Sequence, residues 1–173
     1  MPITKFREFA LARYSAYGQP SAVKGWPGFN DEGDMPPGLH QAALAEVVKY
    51  FGHGTPERQR VSRRLEHIYG LAKATGHLAR FIIFGSFVTA KLAPKDVDIF
   101  LLMDDDFDVS RLPNEIRILF DHTAAQNRLG ASVFWIRRAA AIGGEQAAVG
   151  YWQITRSGGQ RGIVEVIKDD PQR

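Results

Sequence analysis

The stretch "FIIFGSFVTAKLAPKDVDIFLLM", Phe81 to Met103, holds two strongly apolar runs joined by a short polar link. Each run is rich in Phe, Ile, Leu and Val and is short enough for a buried strand. Asp96 and Asp98 break that pattern at the opening of the second run. At positions i and i+2 of a strand, both carboxylates project from one face. Carboxylates about 6 Å apart in an effective dielectric near ~20 repel by roughly 3 kcal/mol, equivalent to about two pKa units. The neighbours Val97, Ile99, Phe100 and Leu101 add a desolvation cost. Such a pair needs a counter-charge. Lys91 and Lys95 are near in sequence, but a divalent cation serves best, and magnesium favours one or two carboxylates plus substrate phosphates. The plainer account makes Asp96 a turn residue after Pro94 and Asp98 an exposed edge residue. It suits Asp96 and fits Asp98 poorly.

Between the two runs, Gly85-Ser86 closes the first strand. Glycine there lets the backbone approach a bound group, and backbone N–H groups with the Ser86 hydroxyl can donate to phosphate oxygens. The arrangement gains if "SFVTAK" starts a short helix whose positive end faces the site. Taken alone, Gly-Ser marks many ordinary turns.

Outward from this stretch, strands alternate with helices. "ARFIIF", "VDIFLLM", "ASVFWIRR" and "GIVEVIK" read as strands, and "SRLPNEIRILFDHTAAQNRLG" as one helix with Leu112, Ile116, Phe120 and Ala124 on its apolar seam and Gly130 at its end. A short helix or loop is expected around "EQAAVGYWQI". Upstream, "LHQAALAEVVKYFG" predicts a helix with Leu39, Ala43, Val47 and Phe51 on one face. Thr55-Pro56 then caps a second helix with Val61, Leu65, Ile68 and Ala72 buried. The pattern argues for an α+β fold, a small mixed β-sheet with flanking helices.

Residues 1–34 form an extension: a short amphipathic helix using Phe6, Phe9 and Leu11, then an irregular Gly- and Pro-rich stretch in which Trp26 and Phe29 pin the loop to the body. The domain proper spans 35–173. The chain has 173 residues, 45% hydrophobic and 24% charged, with no cysteine, which excludes disulfides and Cys-based zinc sites. No apolar run reaches membrane-spanning length and the start lacks a signal peptide, so no membrane partner and a cytoplasmic location are expected. The net charge of +3 suits a phosphate-handling protein without requiring one. Arg58, Arg60, Arg63 and Arg64 read either as a solvated helix face or as a phosphate- or RNA-facing patch.

Gly85-Ser86, nine intervening residues, then Asp96-Val97-Asp98 resembles the signature of the nucleotidyltransferase superfamily related to DNA polymerase beta: Gly-Ser, a short helix, then Asp-x-Asp on the next strand. The wider stretch, from "MPPGLHQA" through "GSFVTAKLAPKDVDIFLL" to "GGQRGIVEVI", is similar to a group of small bacterial proteins of that superfamily over about Met35 to Lys168. The resemblance implies a minimal nucleotidyltransferase fold. It implies that Gly85 and Ser86, with Lys95 nearby, hold the triphosphate of an NTP, and that the catalytic Asp96 and Asp98 bind one or two magnesium ions. An acceptor hydroxyl on a protein, an RNA or a small molecule would attack the α-phosphorus and release pyrophosphate. Positioning and electrostatics would supply most of the catalysis.

One departure stands out. Active members of that superfamily add a third carboxylate on the following strand; here it falls near Ser132 in "GASVFWIRR", which contains no Asp or Glu. A serine hydroxyl neither accepts a proton at neutral pH as a carboxylate does nor adds negative charge for a metal. Glu165 on the last strand is a candidate substitute, although it reads better as a solvent-facing strand residue; otherwise the chemistry needs no protein base, or the chain binds nucleotide without transferring it. The competing functional class is therefore a catalytically degenerate partner-binding module, such as a toxin–antitoxin or phage-defence component. An RNA-binding module using the Arg58 to Arg64 face is third. The histidines never fall in a His-x-x-x-His spacing and read as surface or capping residues. Asp104, Asp105, Asp106 and Asp108 belong to the far end of the second strand, and the glycines of "RSGGQR", with Arg156 and Arg161, read as a turn.

Overall fold

The computed structural model describes residues 26–168. The Phe6, Phe9 and Leu11 helix therefore lies outside the described residues. Five strands, β1 (Leu39–Ala43), β2 (Leu78–Phe84), β3 (Val97–Met103), β4 (Ala131–Arg137) and β5 (Ile163–Ile167), form one mixed sheet in the order β1-β5-β2-β3-β4. β2 is antiparallel to β3 and β5, whereas the β1–β5 and β3–β4 pairs are parallel. Five α-helices are described: α1 (Leu44–Phe51), α2 (Pro56–Ala74), α3 (Asn114–Arg117), α4 (His122–Leu129) and α5 (Glu145–Gly150). The protein is an α+β fold, as its alternating apolar runs predict.

The main core lies on one face of the sheet. Phe81, Ile83, Ile99, Leu101 and Val164 meet Val47 and Phe51 of α1 and the stripe Val61, Leu65, Ile68 and Ala72 of α2. Thr55 caps α2, its hydroxyl accepting from the Arg58 N–H at 3.2 Å, with Pro56 in the first turn as expected. The opposite face carries Ile82, Phe100, Leu102 and Ile163, covered by Val149 and Trp152. Trp26 stacks on Tyr50 with ring centroids 5.0 Å apart, and Phe29 tilts against the same ring, so both aromatics hold their loop to the body.

Two helix expectations are corrected. Leu39 to Ala43 form an edge strand instead of the first turns of a helix, because β5 offers them a parallel backbone partner. The helix starts at Leu44, where the Glu46 carboxylate accepts the Ala43 N–H at 2.9 Å, and the buried residues become Ala42, Val47, Tyr50 and Phe51. The stretch from Ser110 to Leu129 is not one helix. Asp121 is extended and its carboxylate caps α4 through the Ala124 N–H at 2.7 Å, which shifts the phase. Leu112, Ile116 and Phe120 still pack on the core, but Ala125 replaces Ala124 as the buried residue of α4. Gly130 ends that helix in the left-handed region as predicted, with φ of 64°.

Arg58 is also corrected. It faces no solvent: 3% exposed, its guanidinium donates to the carbonyls of Phe51 at 2.9 Å, Phe87 at 3.0 Å, Lys91 at 2.6 Å and also Thr89. Three of these four acceptors belong to the link between β2 and β3. One buried cation thus ties the end of α1 and that link to α2. Replacing Arg58 by Met keeps much of the stem but leaves several buried carbonyls without a donor. Urea unfolding of Arg58→Met should show a loss of about 3 kcal/mol or more; a loss below about 1 kcal/mol would mean that water replaces the guanidinium.

Candidate functional site

The carboxyl-facing residues gather where β2 ends and β3, β4 and β5 begin. Phe84, the last residue of β2, pairs with Asp98 of β3, and Asp98 pairs on its other side with Ser132 of β4. β3 is therefore flanked by strands on both sides, so Asp98 is not an edge residue. It is half-buried, on the sheet face that carries Phe100 and Leu102. Asp96 lies just before the strand, half-buried, and Lys95 is exposed beside it.

Gly85 shares this corner. Its φ is +76°, a region that favours glycine, and a Cβ placed on it would fall 1.9 Å from Asp98 Oδ2. The Gly-Ser corner and the second aspartate are thus in direct contact. Ser86 opens a three-residue 3-10 turn, Ser86–Val88. The expected helix over "SFVTAK" does not form. Thr89 is extended and pairs with Asp34, so no macrodipole points at the site, and only the local N–H groups and hydroxyl are on offer.

Burial raises the Asp98 carboxyl to about 6, with repulsion from Asp96 as the next cause; a hydrogen bond from the Ser132 hydroxyl and the charges of Arg161 and Arg156 oppose the rise. The pair fits a divalent cation on the chemistry of its donors. Two like charges compete there, one of them pushed toward its neutral form by lack of solvent, and a cation relieves both.

Arg156 and Arg161 were read as parts of an ordinary turn. The turn is there, with Thr155 N–H donating to the Gly159 carbonyl at 2.9 Å, but it brings both guanidinium groups into electrostatic reach of Asp98. Arg161 also pairs with Asp34 at 3.6 Å. The only sequence signal was two arginines flanking "SGGQ" just before a strand.

Glu165 stays apart. It is 7% exposed and receives hydrogen bonds from Arg80 Nη2 at 3.0 Å and Gln41 Nε2 at 2.8 Å. Burial would raise its carboxyl, but those donors outweigh it and hold it below the ordinary range. Glu165 is thus neither solvent-facing nor a substitute third acid. Ser132 occupies the position beside Asp98, and no carboxylate of β4 joins it.

At the other end of the sheet, His77, Asp104 and Asp106 place three potential ligand atoms within 4.8 Å of one another, a grouping that the spacing between histidines could not reveal. His77 already contacts Asp106 at 3.1 Å and Arg138 pairs with Asp104 at 3.5 Å, so the group reads as an exposed ion-pair cluster. Asp108 caps the turn after β3, as expected for this acidic run.

A family model described as a family of unknown function (DUF6932) matches residues 27–167. No curated protein and no solved structure matches the chain. Among the described residues, no helix is long and apolar enough to cross a membrane.

Two outcomes follow from the corner. Gly85→Ala should destabilise the fold strongly, because its methyl collides with the Asp98 carboxylate; the double variant with Asp98→Ala should recover most of the loss, leaving about 1–2 kcal/mol of backbone strain. Additive losses in that double-mutant cycle would show that the contact does not matter. Because the native carboxyl of Asp98 titrates near 6 and its unfolded form near 3.8, the native state holds the proton between these values. Stability should therefore fall as pH rises from about 4 to about 6, by at most about 1.4 kcal/mol per pH unit, and Asp98→Asn should flatten that slope in denaturation curves.

Proposed function

The chain belongs to the family of unknown function whose model covers residues 27–167, and we propose that it is a magnesium-dependent nucleotidyltransferase. The observation that carries this reading is the contact between Gly85 and the Asp98 carboxylate, which makes the Gly-Ser corner and the paired acids one site. Asp96 and Asp98 would hold magnesium, which when bound neutralises triphosphate charge and stabilises the attacking and leaving oxygens. Ser86 and the N–H groups of its turn would donate to phosphate oxygens, as would Lys95 at the rim. Arg156 and Arg161 add positive charge within electrostatic reach of Asp98, which would offset the repulsion between a triphosphate and the carboxylates. The acceptor hydroxyl would attack the α-phosphorus, the bond to the β-phosphate would break, and pyrophosphate would leave. With Ser132 beside Asp98, the hydroxyl proton would pass to water.

That same serine favours a second reading, a degenerate partner-binding module. It pairs with Asp98 at the position where the resemblance puts a third carboxylate, so in this reading the site lacks one negative charge and a base. A transfer assay separates the two readings. Purified protein, magnesium and α-labelled NTPs are incubated with lysate as acceptor pool. The transferase reading expects label on an acceptor, lost by at least about 100-fold in Asp96→Ala and Asp98→Ala, and increased in Ser132→Asp by restoring a base, an effect typically of ~10²-fold or more. No transfer by any of the proteins, together with no calorimetric binding of magnesium–NTP, would leave the partner module.

A further inference from the structure

Arg58 is structural, but the rest of its cluster behaves differently. Arg60, Arg63, Arg64 and His67 of α2 line one wall of a groove, and Arg128 at the end of α4 lines the other. Arg60, Arg63, His67 and Arg128 are exposed, and among the described residues none of the four arginines makes an ion pair with a carboxylate. Glu66 of α2 turns instead toward a separate groove beside α1. Four unpaired guanidinium groups facing one channel repel one another, and a polyanion in the channel removes that cost.

Arg64 donates to the Lys95 carbonyl at 3.1 Å, and its guanidinium packs where a Cβ on Gly130 would fall, at 2.7 Å, so the groove is held to the end of the β2–β3 link and to the start of β4, on the sheet face opposite Asp98. Gln126 and Asn127 of α4 also line the groove, and their amides donate and accept. Phosphates and carboxylates only accept, so arginines alone would serve a simple anion or an acidic peptide. Amides that do both suit ribose 2′-hydroxyls and base edges as well.

We propose that this groove binds single-stranded RNA along its phosphate backbone.

The test uses the full chain, without NTP or magnesium, and fluorescein-labelled 12-nucleotide RNA read by anisotropy. The expected result is binding whose log–log salt slope is near about 3, for roughly four phosphate contacts on a single strand. Arg63→Glu with Arg128→Glu should weaken it by at least about 10-fold and lower the slope, whereas Lys168→Gln, which lies outside the groove, should leave it unchanged. Absence of binding at low salt, indifference to the charge reversals, or equal affinity for DNA of the same sequence would overturn the groove assignment.

Discussion

The fold closes around one costly placement, a carboxylate at the end of an interior strand with solvent largely withdrawn. Asp98 sits between β2 and β4, and the backbone opposite must be glycine for the carboxylate to fit. The link that carries that glycine is in turn held by Arg58, whose guanidinium reaches the carbonyls of Phe87, Thr89 and Lys91. A polar group without a partner in such a position costs ~1–3 kcal/mol, and a charge costs more. The molecule keeps both a raised carboxyl and a conformationally demanding glycine at one point.

The charges near this point are mixed: Asp96 adds to the cost of the Asp98 charge, and Arg161 and Arg156 reduce it. Under the proposed transfer reaction, those two arginines serve the nucleotide. The serine beside Asp98 is the part of the site that such a reaction uses least well, and it marks where the chemistry would be slow.

Much of this was legible in the sequence. The two apolar runs set β2 and β3, and i, i+2 spacing placed the aspartates on a common face. The Pro56 and Gly130 signals bounded α2 and α4 because capping is local physics. What was not legible depended on partners far away in the chain. Leu39 to Ala43 have helical periodicity, yet β5, more than 120 residues on, supplies ladder bonds that override it. Glu165 looked like the outward residue of an alternating strand, since nothing near it announces Arg80. Arg58 looked like its arginine neighbours, and only the three-dimensional path of the β2–β3 link separates it from them. The contribution of Arg156 and Arg161 was hidden in a glycine-rich turn for the same reason.

The strand order carries a consequence for how the protein is made. β5 is the last strand in sequence but lies inside the sheet, between β1 and β2. β1 pairs with no strand but β5, and the Met35 carbonyl accepts the Gly162 N–H at 2.9 Å, so until β5 is in place the sheet has a gap between β1 and β2. The pairing spans more than 120 residues, a non-local contact of the kind that slows folding. The segment that fills the gap is also the one that brings the arginine turn to the acidic corner.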